Sequence, residues 1–148
     1  MCFLKALSKN FKYRKVEVCA GNKSYKGLVA DSFLKKAVGL MYRDHINPDE
    51  CMVFYFGGQG RHGIWMANMN FSIDIVWLDA DLNIVDIMEN VPPCKRAIGC
   101  VTYYPKSFDS YAVESLGFAN NLCNSCLACL LCNLSPSVQQ DRRLGNPL

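Results

Sequence analysis

No apolar run in this 148-residue chain reaches the roughly 18 residues needed to span a bilayer, so a transmembrane helix is not expected. Met1 to Leu7 is apolar apart from Lys5, but Ser8-Lys9-Asn10 interrupts it before a secretion-signal core can form. Histidine occurs only at His45 and His62, both in segments that read as exposed loops, with no serine elbow or Cys-His arrangement beside either. Nucleophilic catalysis has no visible logic here. Gly57-Gly58-Gln59-Gly60 lacks the Lys-Ser/Thr that completes a phosphate-cradling loop, and no acidic cluster stands at calcium or magnesium spacing. Internal repeats are absent too.

What the chain does have is cysteine, nine in all, and a 51% hydrophobic composition sufficient for one core. Without an export signal, reduced thiols and a cytoplasmic location are the expectation, and Cys94 and Cys100 read as two free thiols that oxidation could join. The net charge of +3 is uneven, because residues 1–26 carry seven Lys or Arg against Glu17 alone. Residues 1–14 therefore read as a basic arm. No aromatics interleave its charges on one face, so it gives no strong nucleic-acid signal.

Lys15 to Ala30 alternates around a break at Ala20-Gly21-Asn22 and predicts a hairpin. Asp31-Ser32 then offers caps for a short helix, with Phe33, Ala37, Leu40 and Met41 at helical spacing and an end near Tyr42 to Asp44. Met52 to Phe56 reads as a buried strand, Gly57 to Gly63 as a flexible loop, and Ile64 to Ala67, Ile73 to Leu78, Asn83 to Met88 and Tyr111 to Leu116 as further strands. The expected fold is α+β and mostly β: a small antiparallel barrel-like or sandwich-like sheet with one short packed helix, over residues 15–120. Residues 121–148 read as a Cys-rich segment and disordered tail.

Read together, Gly39-Leu40-Met41-Tyr42-Arg43, Val53 to Phe56, Trp65-Met66-Ala67-Asn68-Met69 and Asp74-Ile75-Val76-Trp77-Leu78-Asp79 resemble the family called domain of unknown function 192. Pro93-Cys94, Cys100, Tyr104-Pro105 and Tyr111-Ala112-Val113-Glu114 are similar to its closing loop and strand, so the likeness spans about residues 15–118. Met69 departs from the family's usual Thr, and after Gly117 a cysteine block replaces the family's closing turn and strand. The resemblance implies a compact β-rich domain with a helix and transfers no reaction.

Arg43, Trp65, Asn68, Asp74 and Asp79 form the candidate binding patch, since polar residues set singly among apolar strands need partners or a ligand. Asn68 and Asp74 are expected on adjacent strands, facing each other; the structural alternative is that Asp74 ties a turn. Cys123, Cys126, Cys129 and Cys132 repeat every third residue and could hold zinc or an iron-sulfur cluster if the segment unwinds. Interspersed leucines give the same stretch a second reading, an acylated tail with weak membrane association. The leading functional expectation is a non-enzymatic ligand-binding or accessory domain. Its alternatives are a metalloprotein built on the C-terminal cysteines and a small hydrolase using Asp74 or Asp79 with Arg43.

Overall fold

A computed structural model of the chain describes residues 10–96 and 98–122. Among these, the elements run β1 (Arg14–Ala20), β2 (Lys23–Ala30), α1 (Phe33–Val38), β3 (Glu50–Gly60), β4 (Ile64–Trp65), β5 (Ile73–Leu78), β6 (Ile84–Val91), β7 (Thr102–Tyr103) and β8 (Asp109–Ser115). A 3-10 turn follows at Ala119–Asn121. The fold is α+β and mostly β, as the alternation predicts. Six strands lie in the order β1-β2-β3-β8-β5-β6, and β4 pairs with β7 apart from them.

This sheet is open and mixed, where the sequence pointed to an antiparallel barrel or sandwich. β2 runs parallel to β3, with Lys26 opposite Glu50 and Ala30 opposite Phe54. Parallel neighbours require a crossover, and α1 with the loop to Asp49 supplies it. The last of the described strands, β8, inserts between β3 and β5 and so sits inside the sheet. All its residues are buried.

Three expected boundaries move. α1 starts as its caps predict, with Ser32 Oγ accepting the Lys35 N–H at 3.3 Å, but it stops at Val38 because Gly39 turns to φ 49°. A side chain there would also meet Phe54 Cζ at 3.1 Å. β3 continues through Gly57 to Gly60, absorbing part of the expected loop behind a bulge that separates Tyr55 from Gly60 in the β8 ladder. The strand expected over Ile64 to Ala67 shortens to Ile64–Trp65.

Strand periodicity divides the core between the two faces of the sheet. Met52, Phe54, Ile75, Trp77 and Ala112 share one face with Leu40, Ile46, Ile64 and Met66, which come from the covering segments. Cys51, Val53, Val76, Leu78, Tyr111 and Val113 occupy the other with Val18, Tyr25 and Phe118. Tyr25 and Phe118 meet there at 4.9 Å between ring centres. None of the described helices is long and apolar enough to cross a membrane.

Cys94 and Cys100 are joined in a disulfide with their Cα atoms 5.9 Å apart, which corrects the expectation of free thiols. Spacing cannot report this. The pairing depends on the fold around it: Cys94 N–H donates to Met66 O at 3.1 Å, and Cys94 bridges to Ala67. The closed loop is short, so reduction is expected to lower stability by about 2 kcal/mol. Urea titrations with and without reductant check this, and a Cys94→Ser, Cys100→Ser double variant insensitive to reductant identifies the bond responsible.

Candidate functional site

Between α1, the turn after it and β4 lies a pocket of about 330 Å³ on the first face of the sheet. Its walls are Ala37, Leu40, Phe54, Phe56, Ile64 and Met69, while Phe33 and Trp65 line it with much of their rings in solvent. Phe33 is 80% exposed and Trp65 47% exposed. Apolar rings left in water beside a concavity are costly without an occupant.

Three polar groups line the same pocket: Lys36, Thr102 and Glu114. Glu114 decides its character. On β8 it stands opposite Met52 of β3 and Ile75 of β5, and it shares a face with Ala112 in the apolar cluster. It is 4% exposed, and among the described residues no donor or cation meets its carboxyl group. Desolvation by this apolar surround pushes its pKa up to about 8, so the group is mostly protonated at neutral pH. Lys36 is not its counter-ion. Its ammonium donates to Tyr55 O at 3.2 Å and lies 5.9 Å from the centre of the Phe56 ring.

Beyond Phe56 the structure assembles a second buried carboxylate. Asp109, fully buried, accepts the His62 N–H at 2.8 Å and meets His62 Nδ1 at 3.0 Å. The His62 ring stacks on Phe56 with 4.1 Å between centres, and His62 O accepts the Trp77 indole N–H at 3.0 Å. Burial raises the Asp109 pKa, and its hydrogen bonds from His62 oppose that rise. His62 therefore holds the far wall of the pocket. Its side chain is 29% exposed, where the sequence placed it in a free loop.

The five residues of the expected patch are not brought together. Trp65 alone among them lines the pocket. Asp74 Oδ1 accepts the Asn90 N–H at 2.9 Å and Oδ2 the Ala119 N–H at 3.0 Å, so the carboxylate ties β6 to the 3-10 turn. Asp79 Oδ1 accepts from Asp81 N–H and Asn83 N–H, each at 2.9 Å, closing the β5–β6 turn. Desolvation would raise its pKa, but the bonds from Asn83, Asp81 and Leu82 bring it below the usual value. Asn68 lies outside the strands at φ 55°; its O accepts from Tyr42 N–H at 3.0 Å and its N–H donates to Arg96 O at 3.1 Å. It does not face Asp74. Arg43 contributes its carbonyl to Asn70 Nδ2 at 2.8 Å, and none of the ion pairs among the described residues includes it.

Glu114 is the residue the sequence reading missed. Its signal was present: a carboxylate inside the apolar stretch Tyr111-Ala112-Val113-Glu114, on the same parity as Ala112. For metal binding, no group of three or more His, Cys, Asp or Glu among the described residues is placed to hold an ion. Cys123, Cys126, Cys129 and Cys132 lie outside the described residues.

Fold and site together define a small β-rich domain whose central strand carries an isolated acid into an apolar pocket. The chain belongs to the family DUF192, described as an uncharacterized ACR, which it matches over residues 16–120. It is 33% identical over 100 residues to a UPF0127 protein of Pyrococcus horikoshii, covering 63% of this chain and 76% of that one. A UPF0127 protein of Pyrococcus abyssi is 31% identical over 91 residues, covering 58% and 67%. Two crystal structures share the fold. One, a Sinorhizobium meliloti protein whose description proposes transcription regulation, has a TM-score of 0.64 at 24% identity, covering 75% of this chain and 88% of that one. The other, a Novosphingobium aromaticivorans protein of unknown function, has a TM-score of 0.62 at 21% identity, covering 73% and 76%.

Proposed function

We propose that this chain is a non-enzymatic binding domain whose site is the pocket over Glu114. The observation that carries this reading is the unpartnered Glu114 carboxyl group among apolar walls. A carboxyl group held without a protein partner against apolar walls is poorly solvated, and a ligand supplying a partner recovers part of that cost. The volume falls at the small end of the range for small-molecule sites, and the lining has the usual apolar majority with few polar groups. Catalysis lacks comparable support, because Asp74 and Asp79 spend their oxygens on backbone and turn donors.

The disulfide bears on location. Such bonds persist where thiols are not kept reduced, so Cys94–Cys100 weighs against the cytoplasmic expectation.

A fragment screen read on the Trp65 indole resonance tests the binding proposal, with Ala37→Phe as the blocked control. Ala37 is half-buried and lines the pocket one residue before the buried end of α1, so the larger ring fills space where a ligand would sit. Hits should bind the parent and weaken at least tenfold in Ala37→Phe. Equal binding to a folded Ala37→Phe, or no hits at all, rejects the proposal.

A further inference from the structure

We propose that the occupant of this pocket is an uncharged, largely apolar small molecule whose hydrogen-bond acceptor, such as a carbonyl oxygen, meets the Glu114 carboxyl group. This rests on the binding reading above and adds the chemistry of the ligand. Glu114 stands between Met52 and Ile75 on the flanking strands, and among the described residues nothing donates to it or accepts from it. A protonated carboxyl has one O–H to give. With a pKa of about 8, Glu114 holds that proton through neutral pH. Glu114 thus presents one donor to the pocket among apolar side chains, and the group that completes it is an acceptor.

Charge selects against the other candidates. An ammonium ligand would require Glu114 to ionise and would share the pocket with the like charge of Lys36, the only other ionisable group lining it among the described residues. The remaining walls offer no charge: Phe54 and Phe56 from β3, Ile64 and Trp65 from β4 and Thr102 from β7. An anion would be drawn to Lys36, but that ammonium is already engaged with Tyr55 O, and desolvating the anion against the aromatic walls is costly. The aromatic lining from Phe33, Phe54, Phe56 and Trp65 suits a flat apolar body.

Four molecules of matched shape separate these chemistries: acetophenone, ethylbenzene, 1-phenylethylammonium and benzoate, titrated into the whole chain and followed at the Trp65 indole. At pH 6.5 acetophenone should bind about 3- to 10-fold tighter than ethylbenzene, the range one hydrogen bond provides. The ammonium and benzoate should both bind more weakly than acetophenone. Above pH 8 the 3- to 10-fold advantage of acetophenone over ethylbenzene should disappear as the donor is lost. Glu114→Gln, which keeps an N–H donor, should retain acetophenone binding and abolish this loss, whereas Glu114→Met should equalise acetophenone and ethylbenzene. If ethylbenzene binds as well as acetophenone to the parent, or the ammonium binds tightest with affinity rising with pH, or benzoate binds tightest, this inference fails while the pocket remains a binding site. If none of the four moves the Trp65 signal, both this inference and the binding proposal fall.

Discussion

Replacing Glu114 with Gln removes most of the chain's loss of stability between weakly acidic and weakly alkaline pH. Folding raises the Glu114 pKa from 4.5 to about 8, so the native state holds a proton that the unfolded state releases. The favourable contribution of that proton is fully present below pH 4.5 and disappears as pH rises through 8. Each pH unit in this window costs about 1 kcal/mol, an order-of-magnitude total of several kcal/mol. The Gln variant carries no such proton. Its stability relative to the parent should rise steadily from pH 4.5 to pH 8 and level off beyond it, while every other titrating group cancels in the difference. Urea titrations of both proteins at pH 5, 6.5 and 8 read this slope directly. A flat difference would mean that the carboxyl group is solvated or paired in solution, and the pocket would lose its defining group.

The same burden explains why such a residue is informative. Leu or Met at position 114 would pack against Met52 and Ile75 without an ionisation cost, so an acid there lowers stability at neutral pH and above. Local conflicts with good packing concentrate at functional sites. Asp109 differs, because its two contacts with His62 occupy its oxygens. One buried acid is satisfied by the chain and the other is left for something else.

Much of the framework was readable from residue order. β5 was visible because Ile73 to Leu78 is almost wholly apolar, and all six of its residues are buried. The β1–β2 hairpin followed from alternation around Gly21. The parallel pairing of β2 with β3 was not readable, since strand direction depends on how α1 carries the chain across the sheet. Glu114 was hidden for a related reason. Its parity with Ala112 is plain in the sequence, but that face is enclosed only because β8 inserts between β3 and β5, a choice made by residues far away along the chain. His62 and Asp109 stand 47 positions apart, and no local pattern joins them. Asn68 and Asp74 misled through proximity in sequence: the strand ends at Trp65, and Asn68 turns into the left-handed region instead of continuing the ladder.

Asp74→Ala should destabilise the chain by roughly 3–5 kcal/mol, because it leaves two backbone donors unsatisfied at once. Asp74 is 6% exposed and reaches across two segments, receiving Asn90 N–H from the end of β6 and Ala119 N–H from the start of the 3-10 turn. The first bond holds a non-glycine residue at φ 49°, a conformation that costs about 1 kcal/mol without support. The second anchors the turn from which Asn121 Nδ2 donates to Tyr25 Oη at 2.9 Å and before which Phe118 packs on the Tyr25 ring. Loss of the carboxylate therefore loosens the second face of the core as well. Asp74→Asn keeps the shape and one acceptor oxygen but turns an N–H₂ towards one of the donors, so it should cost a smaller part of the same amount. Along β5, Asp74 alternates with Ile73 and Ile75 and so points to the face opposite Glu114. Variants that still fold should consequently bind acetophenone in the pocket as the parent does. Denaturant midpoints and pocket titrations on the same samples distinguish the two roles proposed for this residue: a large stability loss with unchanged binding assigns it to architecture, and preserved stability with lost binding would return it to a site.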